Sequence, residues 1–300
     1  MANPTQPILC CLGEQVAGSP TQFVIDRMLS AADLDWRVFT TEINPEDTEA
    51  AVLGVSALRF SALRVAHGNE STARIVREKL LSQNVWLPFL SECNSAGFEA
   101  KWVGWNSESA GLLWMLRQVA CPTLSSITVL MHGDSSLTRN LFHAYHFCRL
   151  SDQIDECTLH WIGLDEEHFQ PPATDSLKPF QLHRTVESYL EKTAEGRRES
   201  ASGAQQAVLL VGESTQEVQE IRSHVGDLAG DRLLCCSGLQ WEQAAKSGRI
   251  LHYESNESDL PWVSPIDLAS SALAHDFERW TGAKAHFQMI REAYEEFCEF

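Results

Sequence analysis

Apolar and polar positions along the first hundred residues fall into short alternating runs. "PILCCLG" is a continuous apolar run ended by Gly13, which predicts a buried strand. "SPTQFVIDRMLSAADL" has the three-and-four spacing of a helix, with Ser19 as N-cap and Pro20 in the first turn. "DWRVFTTEI" alternates as a strand, "NPEDTEAAVLGVSAL" opens a second helix after Asn44-Pro45, and "FSALRVA" gives a further strand. This β-α-β-α-β rhythm is that of a parallel or mixed sheet covered by helices. A helix follows in "ESTARIVREKLLSQ", and Pro88 breaks the pattern.

"KWVGWNSESAGLLWML" places polar residues just before an apolar run, as in a strand-to-loop-to-helix passage, and Cys121-Pro122 ends that helix. "SSITVLMHG" predicts a buried strand and "DSSLTRNLFHAYHFCRL" a helix beginning at Asp134 or Ser135. "CTLHWIGL", "QAVLLVGE" and "DRLLCCSG" are three more buried strands, so a second α/β domain spans roughly residues 120 to 255. Within it "TAEGRRESASGAQQ" reads as an exposed loop. From Pro265 on the chain predicts two helices and no strand. Gly282 lies near the end of the first, whose apolar positions 268, 272, 273 and 277 share one face.

A length of 300 residues agrees with two domains or one large α/β unit, and 44% hydrophobic with 21% charged residues is the balance of a chain that folds around a core. Lys+Arg 23 against Asp+Glu 41 gives a net charge of −18, a field that repels phosphate backbones and anionic membranes. Nucleic acid and membrane are therefore not expected partners. An anionic ligand needs a local cationic group or a helix N-terminus. The N-terminus has no cationic start and no long apolar run, so a cytoplasmic protein is expected. Nine cysteines, without a C-x-x-C pair, predict reduced and mostly buried thiols and no zinc site. His143 and His146, three apart with no third ligand nearby, predict packing or surface rather than metal.

Several short phrases, in order, resemble shikimate dehydrogenases over about Ile8 to Arg291. "GSPTQFVIDRMLSAADLDWRVF" is similar to the family's opening G-x-P-I-x-H-S-x-S-P segment with its helix and next strand. "FSALRVAHGN" stands where the family has G-F-N-V-T-x-P-x-K. "ECNSAGFEAKWVGWNSESAG" resembles A-V-N-T followed by G-x-N-T-D-G, and "DFERWTG" resembles F-x-x-W-T-G. The resemblance implies an α/β fold of two domains with a ligand cleft between them. The first is a substrate-binding domain of residues 1–118 plus 256–300, completed by the C-terminal helices; the second is a Rossmann-like domain of 119–255 with a parallel sheet. The activity it implies is NADP-dependent reduction of 3-dehydroshikimate to shikimate, or related quinate oxidation, with NADP or NAD as cofactor and a small cyclic polyol acid as ligand.

Residue by residue, the resemblance places Asn94, Ser95, Asn106 and Ser107 at substrate-contacting positions and Glu108 at the family's catalytic carboxylate. Taken alone, Asn106 or Ser107 equally suits a helix cap. Of the two serines that hold the substrate carboxylate only Ser19 remains, with Ala17 at the other. The family's proton-transfer lysine aligns with Asn69, its neighbouring proline with His67, and its late glutamine with Ala272. An amide is neither acid nor base near neutral pH, which leaves His67 and Glu108 as groups able to take over proton transfer. Where the family reads G-A-G-G-A-x-R, "GDSSLTR" keeps Gly133 and Arg139 with Ser135 and Ser136 between, and puts Asp134 where phosphate would lie. The next turn, "WIGLDEE", offers acids and no arginine for a 2′-phosphate. The expectations are thus a dehydrogenase with altered groups, or a non-catalytic relative that binds a small cyclic acid or a protein partner. Trp86, Trp102, Trp105 and Trp114 crowd the segment around the expected cleft, and Trp105 beside Asn106 is the one expected to reach the site.

Overall fold

The computed structural model describes residues 6–14, 16, 19–66, 69–81, 90–120, 126–147, 156–164, 169, 180–197, 206–225, 233–237 and 263–298. They belong to two compact units. Unit 1 holds the chain through Gly111 and again from Ile266; unit 2 holds Leu112–Gln243 and the stretch that ends at Pro265.

In unit 1 the strands β1 (Ile8–Gly13), β2 (Arg37–Glu42), β3 (Ala62–Val65), β4 (Ser95–Phe98) and β5 (Trp102–Trp105) lie in the order β2-β1-β3-β4-β5. β1 runs parallel to β2 and β3, whereas β4 runs antiparallel to both of its neighbours, so the sheet is mixed. The helices are α1 (Thr21–Ala31), α2 (Thr48–Ala57), α3 (Glu70–Leu80), the start of α4 (Ser107–Ala120), and the C-terminal pair α8 (Pro265–Thr281) and α9 (Phe287–Cys298). Cys10, Leu12, Leu63 and Val65 of β1 and β3 pack with Val52 of α2 and Val76 of α3. Alternation along a strand sends Cys11 and Arg64 to the opposite face, where Arg64 meets α8.

Unit 2 is built on β6 (Ser126–His132), β7 (Glu156–Ile162), β8 (Phe180–His183), β9 (Gln206–Gly212) and β10 (Leu233–Ser237), all parallel in the order β10-β9-β6-β7-β8. Its helices are α5 (Ser136–Phe147), α6 (Val186–Arg197) and α7 (Thr215–Val225). Strand order reverses at β6, which makes the carboxyl ends of β6 and β9 the switch point of a doubly wound sheet.

Three local expectations need correction. α1 begins at Thr21 with Pro20 as its N-cap, and Ser19 acts from one residue further out, its Oγ accepting a 3.4 Å bond from the Thr21 N–H. The first five residues of "TAEGRRESASGAQQ" are helical, because α6 continues through Arg197. α8 is buried around most of its circumference: Ser270, Ser271, His275 and Asp276 are as enclosed as Leu268, Ala272, Leu273 and Phe277. His143 and His146 are buried in α5, where His146 stacks edge-on against Phe142. Cys10, Cys11, Cys93, Cys235 and Cys236 are buried free thiols. Among the described residues no helix is long and apolar enough to cross a membrane.

Candidate functional site

The strand order of unit 1 also reverses, at β1, and a ligand crevice is expected at the carboxyl ends of the strands beside such a point. A cavity of about 910 Å3 lies there. Cys11 of β1, Thr40 and Thr41 of β2, Arg64 of β3 and Ser19 before α1 are among its walls, and Phe23 with Phe297 forms an aromatic edge, ring centroids 5.9 Å apart. The volume falls within the range of small-molecule sites.

Arg64 is 8% exposed, in a strand whose four residues are all buried. A buried guanidinium needs an anion, and Asp276 of α8, itself fully enclosed, supplies it. Arg64 Nη1 donates both to Asp276 Oδ2 and, at 2.9 Å, to Ser107 Oγ. Ser107 donates in turn to Asp276 Oδ2, and Trp105 Nε1 donates to Asp276 Oδ1 at 2.6 Å. The Trp105 ring is flanked by His275, edge-on at 5.7 Å, and by the Arg279 guanidinium at 5.6 Å. Burial raises the Asp276 pKa, but the Arg64 charge and the hydrogen bonds outweigh it and hold the carboxyl below its ordinary value. Burial pushes the Cys11 thiol up to about 11 despite the nearby Arg64 charge, so the cavity wall there is neutral.

The residues expected at a substrate site divide into groups. Asn94, Asn106, Ser107 and Glu108 come together at the N-terminus of α4. Asn106 is the cap, its Oδ1 accepting the Ser109 N–H at 3.0 Å, and Asn94 Oδ1 accepts the Ser107 N–H at 2.7 Å while its Nδ2 donates to Glu108. The anticipated loop shrinks to the single residue Asn106, because the helix starts at once after β5. Ser107 is no cap; its hydroxyl belongs to the Arg64–Asp276 cluster. Ser95 is fully buried within β4. Ser19 stands apart from these, on the cavity wall. His67 and Ala17 lie outside the described residues, as does Trp86. Trp105 joins the cluster through Asp276, whereas Trp102 donates to Ser56 Oγ at 3.0 Å and Trp114 is buried in unit 2.

Asn69 is tied into its loop. Its Oδ1 accepts the Glu14 N–H at 2.7 Å and its Nδ2 donates to the Ala66 carbonyl at 3.2 Å. A lysine there cannot accept a hydrogen bond. Asn69→Lys is therefore expected to lower stability by about 1 kcal/mol and to produce no gain in shikimate-dependent turnover. A denaturant midpoint together with a shikimate and NADP assay checks this; a gain in rate would contradict the structural role.

At the switch point of unit 2 the first turn is His132, Gly133, Asp134 and Ser135. Gly133 has φ +78°, which a side chain tolerates poorly, and its carbonyl accepts the Trp161 Nε1–H at 2.7 Å. Ser135 caps α5 by reciprocal bonds with Thr138, while Ser136 is the first helical residue. Arg139 is engaged by Asp134 through two bonds of 2.6 and 2.7 Å. On the β9 side the Glu217 carboxylate accepts the Glu213 N–H at 2.9 Å and lies 3.7 Å from His132 Nδ1. Among the described residues no three His, Cys, Asp or Glu side chains gather as metal ligands.

Sequence reasoning missed Arg64, Asp276 and the bond that Trp105 makes to Asp276. The available signal was a charge inside each of two apolar runs, "SALRVA" and "ALAHDF".

A mixed sheet carrying the cavity, completed by C-terminal helices, and a parallel sheet of doubly wound order define the shikimate dehydrogenase fold, which this chain has. Solved structures of that fold match it end to end. The ligand-free 5-ketofructose reductase of a Gluconobacter species is 13% identical with a TM-score of 0.54, covering 98% of this chain and 99% of that one. The shikimate 5-dehydrogenase of Listeria monocytogenes, in complex with shikimate and NAD, is 12% identical with a TM-score of 0.53, covering 97% and 96%. That of Thermus thermophilus, in complex with NADP(H) and shikimate, is 16% identical with a TM-score of 0.50, covering 97% and 100%. No family model and no curated protein matches the chain.

Proposed function

We propose that the protein binds a small hydroxylated ring acid in the cavity of unit 1, and that NADP-dependent reduction of 3-dehydroshikimate to shikimate is weak or lost in it. One observation carries the second half of this reading. The arginine kept from the dinucleotide turn, Arg139, is neutralised by Asp134 two atoms to two atoms, just before the α5 N-terminus where a pyrophosphate would settle. Glu217 adds a carboxylate across the switch point. A dinucleotide would have to break the Asp134–Arg139 pair and then lie beside two carboxylates, with no glycine but Gly133 to let its phosphates approach the backbone. Asn69, bonded through both ends of its amide, supplies no proton.

A second reading is favoured by Glu108. It is 6% exposed and oriented by Asn94, so it could serve as the acid or base of a retained nicotinamide-dependent reduction. Buried reduced thiols on both sheets support a reducing compartment, the cytosol, for either reading.

Calorimetric titration with NADP and with NAD, each in excess shikimate or quinate, separates the two. Binding of the ring acid without either dinucleotide is the expected result. Saturable dinucleotide binding, with turnover abolished by Glu108→Gln, would replace the first reading by the second. If no ring acid binds, both fail.

A further inference from the structure

The cavity of unit 1 contains one feature that neither reading uses, the free edge of Arg64. Both of its hydrogen bonds leave from Nη1, and among the described residues none leaves from Nε or Nη2. Arg64 nevertheless lines the cavity with more than nine-tenths of its surface withdrawn from water. Neither Nε nor Nη2 is among the described buried polar atoms that lack a partner, so this unbonded edge is open to an acceptor in the cavity. Asp276 cannot turn to meet it, because three donors fix its two oxygens: Arg64 and Ser107 on Oδ2, Trp105 on Oδ1.

We propose that Arg64 is the anion anchor of this cavity, taking the carboxylate of a hydroxylated monocarboxylic acid on Nε and Nη2 while Asp276, Ser107 and Trp105 hold the guanidinium still. The proposal rests on the reading of unit 1 as a ligand site and adds the residue that takes the ligand's carboxylate. The planar fork of a guanidinium matches the two oxygens of a carboxylate. Ser19, Thr21, Thr40 and Thr41 on the cavity wall offer hydroxyls that both donate and accept, as ring hydroxyls require. Asp26 and Glu42 also line it, and both are exposed. Asp276 already neutralises Arg64, so these two further carboxylates on the wall disfavour a phosphate or a polyanion.

The test compares shikimate with its methyl ester, which keeps the ring hydroxyls and loses the charge, by calorimetry on the full chain. The intact protein is expected to bind the acid at least about tenfold more tightly than the ester. In the double variant Arg64→Gln with Asp276→Asn, which removes both charges of the buried pair together, that preference is expected to fall below about twofold. Equal binding of acid and ester by the intact protein would overturn the proposal while leaving the ring-ligand reading in place, and needs no variant. A double variant that folds and keeps its preference would overturn it as well. Binding of neither compound by the intact protein removes the proposal together with the reading beneath it.

Discussion

Asp276→Ala is expected to cost ~3–5 kcal/mol of stability, the range seen when one partner of a buried ion pair is removed. The loss comes less from the attraction that disappears than from what remains. Arg64 keeps its charge at any accessible pH and stays enclosed, and Trp105 Nε1 and Ser107 Oγ lose their acceptor at the same time. Replacing both charges by apolar residues, Arg64→Leu with Asp276→Leu, should recover most of the loss, because no uncompensated charge is left in the core. The same pair sets an acid limit. The Asp276 pKa is held below its unfolded value, so the contribution is complete above about pH 4 and is lost as pH falls through the lower folded value. Urea midpoints of the protein and the two variants at neutral pH, and of the protein down an acid series, measure all of this. A loss under about 1 kcal/mol for Asp276→Ala would mean that the pair is hydrated and exerts no control over the site.

The architecture was legible because parallel strands buried on both faces leave continuous apolar runs, as in "PILCCLG", "SSITVLMHG" and "QAVLLVGE". Two strands escaped for the same physical reason. β4, "SAGF", and β8, "FQLH", are four residues each with no continuous apolar run, and β8 is an edge strand with one neighbour. β4 matters most, since its antiparallel pairing with β5 delivers Trp105 and Ser107 to Asp276 of α8. The apolar positions 268, 272, 273 and 277 mark one buried face of α8 and say nothing of its serines, His275 and Asp276. These are buried too, Asp276 facing the Arg64 cluster and Ser271 bonded to the Leu268 carbonyl.

The site was legible only in part. The N-terminus of α4 could be located from "WNSES", since a cap and a first-turn acid have local signatures. What Ser107 does could not be read locally, because its partners are 43 and 169 residues away. No period links Arg64 to Asp276, which lie 212 residues apart. Only the cost of enclosing a charge connects them, and that cost appears once the fold encloses both.

Gly111→Val is the second large effect expected, and it reaches the same cluster from outside. A Cβ on Gly111 would stand 2.4 Å from the Ala272 nitrogen and 2.5 Å from its Cα. Those are backbone atoms of α8, with no side chain to rotate aside, so α4 and α8 must separate. Overpacking of this kind is expected to cost ~3 kcal/mol or more, and even Gly111→Ala should destabilise although alanine favours a helix by about 1 kcal/mol over glycine. Gly54→Ala in α2 is the control: nothing lies within 4 Å of its Cβ, so the helical preference acts alone and stability should rise by up to about 1 kcal/mol. One turn from the Gly111–Ala272 contact, toward the start of α4 and the end of α8, Ser107 donates to Asp276. Moving the helices apart therefore draws the Ser107 hydroxyl away from Asp276 and Arg64, and binding of the ring acid should weaken along with stability. If calorimetry on Gly111→Ala finds ligand affinity unchanged while the urea midpoint falls, the helix crossing supports the fold without setting the geometry around Arg64.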